Sequence, residues 1–142
     1  MEIWELVARE QICNTINKYA HAVDKVRFPV LASTFAPDGI LEVMHGKTAV
    51  GHDEIITLLS TFMQETDTFR GDRTASGFYT RHVSSNIWFE EVTTTHARVS
   101  SYFTTYTPIG ADHWGRYYDT FVPVGDDWLL KHRLAVVDPN DL

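Results

Sequence analysis

Apolar residues recur every three or four positions across residues 2–23, at Ile3, Leu6, Val7, Cys13, Ile16, Tyr19, Ala20 and Val23. That spacing predicts one face of a long amphipathic helix, with Glu5, Arg9, Asn14 and Lys18 opposite. Pro29 suits a first helical turn, and Val30, Leu31, Thr34 and Phe35 after it predict a short second helix. Pro37-Asp38-Gly39 then reads as a stop and turn. Residues 40–44 read as a short strand, with a turn at His45-Gly46-Lys47. After Gly51, Asp53 and Glu54 favour the positive end of a helix dipole, and Ile55, Ile56, Leu58, Leu59, Phe62 and Met63 give a third helix its buried face. Residues 65–78 have no apolar period and read as the longest loop. Beyond them residues 79–90, 95–107, 113–124 and 128–137 read as three or four strands, with Gly125-Asp126-Asp127 as a tight turn. These strands predict an antiparallel meander.

Helices first and strands last describe an α+β domain whose sheet wraps around its helices. No repeat, low-complexity tract or linker interrupts the chain, so residues 1–142 read as one domain. A hydrophobic content of 44% excludes intrinsic disorder. Aromatic residues, 13% of the chain, fall largely in the strand-rich half.

The charge narrows the function classes. Twelve basic against nineteen acidic residues leave a net −7 with no basic run, which excludes the electrostatic footprint of a nucleic-acid or anionic-membrane binder. No apolar run approaches the about 20 residues needed to span a bilayer. The start of the chain does not read as a signal peptide. A single cysteine, Cys13, cannot form an internal disulfide and sits in the apolar stripe of the first helix, consistent with a cytoplasmic protein. His45, His52, His96, His113 and His132 form neither a His-Glu-x-x-His motif nor a tight cluster with carboxylates, so no metal site is expected. No phosphate loop, dinucleotide fingerprint or Gly-x-Ser-x-Gly occurs.

Two positions stand out chemically. Alternation sets His82, Ser84, Asn86 and Trp88 on one face of their strand and Arg81, Val83, Ser85, Ile87 and Phe89 on the other. The first set is either solvated or lines a cavity with polar handles. Asp24, where the first helix stops, lies at the dipole's negative end and requires a compensating partner. Lys25, Arg27 and His21 are near in sequence; His82 is the candidate that would make chemistry, because a carboxylate orients an imidazole and raises its basicity. Ser101, Phe103 and Thr105 share one strand face and read as cavity lining. Tyr102, Tyr106, Tyr117 and Tyr118 fit either packing or stacking on a flat ligand. Arg116 and Asp119 suit a cross-strand pair or a subunit contact.

Lys18-Tyr19 with Asp24 five residues on, Phe35-Ala36-Pro37-Asp38-Gly39, Gly51 through Ile55, Arg81-His82, Gly115-Arg116-Tyr117 and Trp128, taken in order, resemble the SnoaL-like branch of the nuclear transport factor 2-like superfamily. That branch includes scytalone dehydratase, bile acid 7α-dehydratase and hexachlorocyclohexane dehydrochlorinase. The resemblance implies a cone-shaped α+β barrel, with N-terminal helices packed in a strongly curved, mixed but mainly antiparallel sheet. It implies a cofactor-independent lyase or isomerase, most like a dehydratase, acting on a hydrophobic cyclic or polycyclic molecule. Asp24 and His82 would form the general-base dyad and Tyr19 would donate to substrate oxygen. Ser84, Asn86, Trp88, Ser101, Phe103, Thr105 and Tyr117 would line the substrate site, in a homodimer or homotrimer. The sequence departs from these relatives in two places. Thr105 or Thr107 stands where the dehydratases carry a second acid or histidine, and Val136-Val137 stands where the bile acid enzyme has an arginine. A non-catalytic binding or assembly module, like the β subunits of ring-hydroxylating dioxygenases, is the competing expectation, and a homo-oligomer without activity is a third.

Overall fold

The computed structural model describes residues 1–43, 46–65 and 77–139, the last two helical positions 64 and 65 by backbone alone. Helix α1 (Ile3–Asp24) leads into a five-residue α2 (Phe28–Ala32), strand β1 (Phe35–Val43), β2 (Lys47–Val50) and α3 (His52–Glu65). Four longer strands follow: β3 (Arg81–Val92), β4 (Ala97–Thr107), β5 (Gly110–Val124) and β6 (Asp127–Val137). They form one six-stranded sheet in the order β2-β1-β6-β5-β4-β3, in which only β1 and β6 run parallel.

The α+β class and the mixed, mainly antiparallel pairing hold, but the cone-shaped barrel does not. The sheet is neither closed nor strongly curled. Its ladder is linear: β3 pairs with β4 alone, and the opposite edge is the four-residue β2, which pairs with β1 and packs under α3. Helix α1 lies across β3 and β6. What the barrel would have made a lumen is the helix-facing surface of an open sheet.

Three local features depart from the periodic reading. Pro37-Asp38-Gly39 does not end a helix; it lies within β1, where the pairing advances by five residues from Phe35 to Ile40 against two from Leu130 to His132 on β6. Glycine is required there, since a Cβ on Gly39 would come within 2.7 Å of the Leu130 carbonyl. Residues 47–50, read partly as turn, form β2, while Met44 and His45 lie outside the described residues. The apolar stripe of α1 is buried only from its second turn: Ala8, Ile12, Ile16 and Tyr19 join the core, while Ile3, Leu6 and Val7 remain exposed. Of the expected loop 65–78, residues 66–76 also lie outside the described residues.

The core is continuous from α1 to the sheet. Ile12, Ile16, Leu31, Phe35, Leu41, Ile55, Val99, Phe121 and Leu130 are almost wholly removed from solvent, each contributing about 1.5–3 kcal/mol of transfer free energy for the aliphatic and phenyl side chains. The Thr15 hydroxyl donates to the Trp128 carbonyl at 2.7 Å and fixes α1 against β6. Helix α1 ends in paired backbone bonds, Arg27 N–H to Ala22 O at 2.9 Å and Val26 N–H to Val23 O at 3.1 Å. This Schellman arrangement places Val26 in the left-handed region at φ 57°. It also sets where Asp24 points.

Candidate active site

Asp24 occupies the last position of α1, where the helix dipole disfavours its charge. Compensation comes from the start of β3. The His82 backbone N–H donates to Oδ2 at 2.9 Å, and the Thr80 hydroxyl donates to Oδ1 at 3.1 Å. His82 Nδ1 lies 2.6 Å from Oδ1. An ionised carboxylate only accepts, so the ring proton resides on Nδ1 and Nε2 keeps its lone pair. Both side chains are largely buried, at 16% exposure for His82 and 10% for Asp24. The pair foreseen from sequence is therefore formed, with His82 rather than Lys25, Arg27 or His21 bonded to the carboxylate.

Across the sheet, His82 is in register with Thr105 on β4, and Thr105 with His113 on β5. The two imidazoles meet edge to face with ring centroids 6.5 Å apart. Phe103 lies edge-on to His113 at 6.0 Å and stacks on Tyr117 at 4.5 Å with 20° between planes. Tyr19 meets Tyr117 edge-on at 6.1 Å. An aromatic wall thus runs from the Asp24–His82 pair toward the middle of the sheet.

At its far end lies Arg133, with no solvent exposure. Its guanidinium sits 3.8 Å from the Tyr117 centroid and 4.2 Å from that of Tyr19. It donates to Asp119 from two nitrogens, at 2.9 and 2.8 Å. Burial alone would lower the Arg133 pKa, but the Asp119 charge outweighs it and holds the guanidinium well above its usual range. Burial pushes both the Tyr19 and Tyr117 phenols up, so each remains a neutral hydroxyl. Tyr19 belongs electrostatically to Arg133 and Asp119, whereas the Tyr117 phenol also feels Asp24.

The expected lining residues divide. Ser101, Phe103, Thr105 and Tyr117 are buried on the helix-facing surface, and Ser84 pairs across from Phe103. The Ser101 and Thr105 hydroxyls and Arg133 Nη1 have no partner among the described residues. Asn86 and Trp88 do not follow Ser84. Between Ser85 and Trp88 the β3 strand advances three residues while β4 advances two, and Asn86 takes φ 52°. This bulge reverses the alternation, so Ile87 and Phe89 turn inward and Trp88 is 67% exposed. Arg116 pairs with Asp138 at 2.9 Å, not with Asp119.

Sequence reasoning passed over the roles of three residues that the fold brings to this surface: Arg133, Asp112 and His113. Asp119 carried a readable signal, as a charge in phase with buried Tyr117 and Phe121, but Arg133 did not, because an extra residue on β6 between Leu130 and His132 puts it out of phase with Trp128 and Leu130. Asp112 and His113 carried none, because adjacent residues alternate in a regular strand and only a bulge directs both inward. Two recesses among the described residues lie elsewhere on the surface: one includes Pro37, Gly51 and His52, the other Asn14, Lys18 and Ser33. Among the described residues no group of three or more His, Cys, Asp or Glu side chains could hold a metal ion.

The fold recurs among known proteins. A protein of unknown function with a cystatin-like fold from Nostoc punctiforme is 26% identical, with a TM-score of 0.74 over 93% of this chain and 92% of its own. A putative scytalone dehydratase from Novosphingobium aromaticivorans is 25% identical, with a TM-score of 0.74 over 94% and 86%. A further Novosphingobium aromaticivorans protein, described as NTF2-like with a cystatin-like fold, shares the fold at 18% identity and a TM-score of 0.77 over 95% and 84%. No curated protein matches the sequence. The model of the SnoaL-like domain matches residues 4–134, nearly the whole chain, and the protein belongs to that family.

Proposed function

We propose that this protein is a cofactor-independent lyase or isomerase, most like a dehydratase, acting on a hydrophobic cyclic small molecule by general-base catalysis. The carrying observation is the 2.6 Å contact between Asp24 Oδ1 and His82 Nδ1. It leaves Nε2 free to take a proton from carbon next to a carbonyl, while Asp24 stabilises the imidazolium that forms. Tyr19, kept protonated by burial, is the donor to the substrate oxygen that gains charge. Phe103 and Tyr117 supply flat apolar surface for a ring. The likeness to a putative scytalone dehydratase supports the same class of chemistry. A cytoplasmic location and assembly as a homodimer or homotrimer belong to this reading; no helix among the described residues is long and apolar enough to cross a membrane.

The test uses a cyclic β-hydroxyketone, 3-hydroxy-1-tetralone, whose dehydration gives 1-naphthol. His82→Ala and Asp24→Asn are expected to lower turnover about 100-fold or more with folding retained. A His82→Ala protein as active as the wild type would sink the proposal.

A further inference from the structure

Removing a proton is half of a dehydration, because hydroxide does not leave unaided at neutral pH. In the lyase reading, on which this inference rests, His82 handles the C–H bond and Asp24 is committed to His82. The position on β4 in register with His82 holds Thr105, whose hydroxyl is no acid at neutral pH. The structure offers another group one strand further on.

Between Thr105 and Tyr106 the β4–β5 register slips. Thr105 faces His113 and Tyr106 faces Ala111, so Asp112 is the extra residue of a bulge. Bulges re-aim side chains, and this one buries the Asp112 carboxylate to 6% exposure beside its neighbour. Asp112 Oδ2 lies 2.9 Å from His113 Nδ1. His113 thus repeats the arrangement of His82: Nδ1 on a carboxylate, Nε2 bonded to no described group, and the ring on the same sheet surface edge-on to its counterpart.

The two carboxylates differ in how their charge is met. Asp24 accepts from the His82 backbone, the Thr80 hydroxyl and the His82 ring, so a neutral His82 suffices. Asp112 Oδ1 is buried with no partner, and His113 is the only described group bonded to Oδ2. Its charge is therefore compensated by His113 only when that ring is an imidazolium. Opposed surroundings for paired groups are how one site holds a base and an acid together.

We infer that His113 is the general acid of this site, protonating the leaving hydroxyl while His82 removes the proton from the adjacent carbon. His82 Nε2 takes the proton and the C–H electrons enter the enolate. The C–O bond then breaks, and its electron pair accepts the proton from His113 Nε2 to leave as water. His82 ends protonated and His113 neutral, and proton exchange with solvent resets both. Asp112 is a positioning residue that holds the His113 proton-bearing form in place.

The two half-reactions can be read separately in deuterium oxide with 3-hydroxy-1-tetralone. His113→Gln is expected to lower 1-naphthol formation about 100-fold while deuterium still enters the carbon next to the carbonyl of recovered ketone near the wild-type rate. His82→Gln should lose both exchange and elimination. Asp112→Asn should lower elimination and spare exchange, and it carries the same test if His113→Gln does not fold by thermal unfolding. Naphthol formation at the wild-type rate in His113→Gln, or equal loss of exchange and elimination, overturns the role of His113 and leaves the base assignment standing. Undiminished exchange in His82→Gln, or a wild-type protein that neither exchanges nor eliminates, overturns the lyase reading and the acid with it.

Discussion

Arg133 and Asp119 form a two-point ion pair in which neither side chain has any contact with solvent. The pair joins β6 to β5 at the end of the aromatic wall, and the guanidinium carbon lies over the rings of both Tyr19 and Tyr117. Taking two charges out of water costs several kcal/mol for each, so the geometry must be good to offset it. Two parallel N–H···O bonds supply that geometry.

Asp119→Ala leaves an uncompensated buried guanidinium. The expected loss is about 3–5 kcal/mol of unfolding free energy, measured by urea denaturation. Replacing both partners with apolar residues, Asp119→Leu with Arg133→Met, should cost markedly less. Equal losses in the single and double variants would contradict a role centred on charge compensation.

High pH tests the buried phenols. For Tyr19 and Tyr117 the folded-state pKa lies above the unfolded value of about 10, because burial disfavours the phenolate. The fold therefore favours the protonated form. That stabilisation is present in full below the unfolded pKa and is lost as pH rises through the folded one. Phenolate absorbance should show two of the six tyrosines ionising only with unfolding. Tyr117→Phe should move the alkaline unfolding midpoint to higher pH.

The cap of α1 stores strain at one residue. Val26 adopts φ 57° and is half exposed, so its side chain forfeits little packing if removed. A left-handed conformation costs a β-branched residue about 1–2 kcal/mol, which glycine does not incur. Val26→Gly should therefore raise stability by about 1 kcal/mol, after the greater chain entropy of glycine is subtracted. Calorimetric thermal unfolding provides the check, and a lower melting temperature would refute the strain assignment.

The Asp24 contact fixes the His82 tautomer. Nitrogen-resolved NMR should find the proton on Nδ1 in neutral His82, with slow exchange against solvent, since the largely buried carboxylate holds it. Asp24→Asn should release that preference. A neutral His82 protonated on Nε2 in the wild-type protein would contradict the geometry.

Much of the framework is legible along the chain because it rests on local periods. Residues 2–23 repeat every three to four positions and form α1, and the stretches read as strands become β3 to β6. Asp24 at a helix end announces an unmet charge, for which Lys25, Arg27, His21 and His82 are the candidates. Ser101, Phe103 and Thr105 face inward as their spacing indicates because β4 runs without interruption from Ala97 to Thr105 in its pairing with β5.

What alternation could not reach are the places where pairing overrides it. An extra residue at Asn86 turns Trp88 outward, and another at Asp112 brings an Asp and a His together on one surface. Pro37-Asp38-Gly39 has the composition of a turn, yet pairing with β6 draws it into β1. Arg133 is buried because Asp119 lies opposite it in the ladder, a fact of strand register. Sheet closure is likewise a matter of which edges meet, and here the β2 and β3 edges do not. Local spacing is enough to specify the helices and the long strands, and one unsatisfied helix end marks Asp24 as a charge in need of a partner, while the choice of His82 over Lys25, Arg27 and His21 is made by the fold. The open sheet, the bulges and the meeting of Arg133 with Asp119 depend instead on backbone pairing between residues far apart in the chain, which no local pattern records.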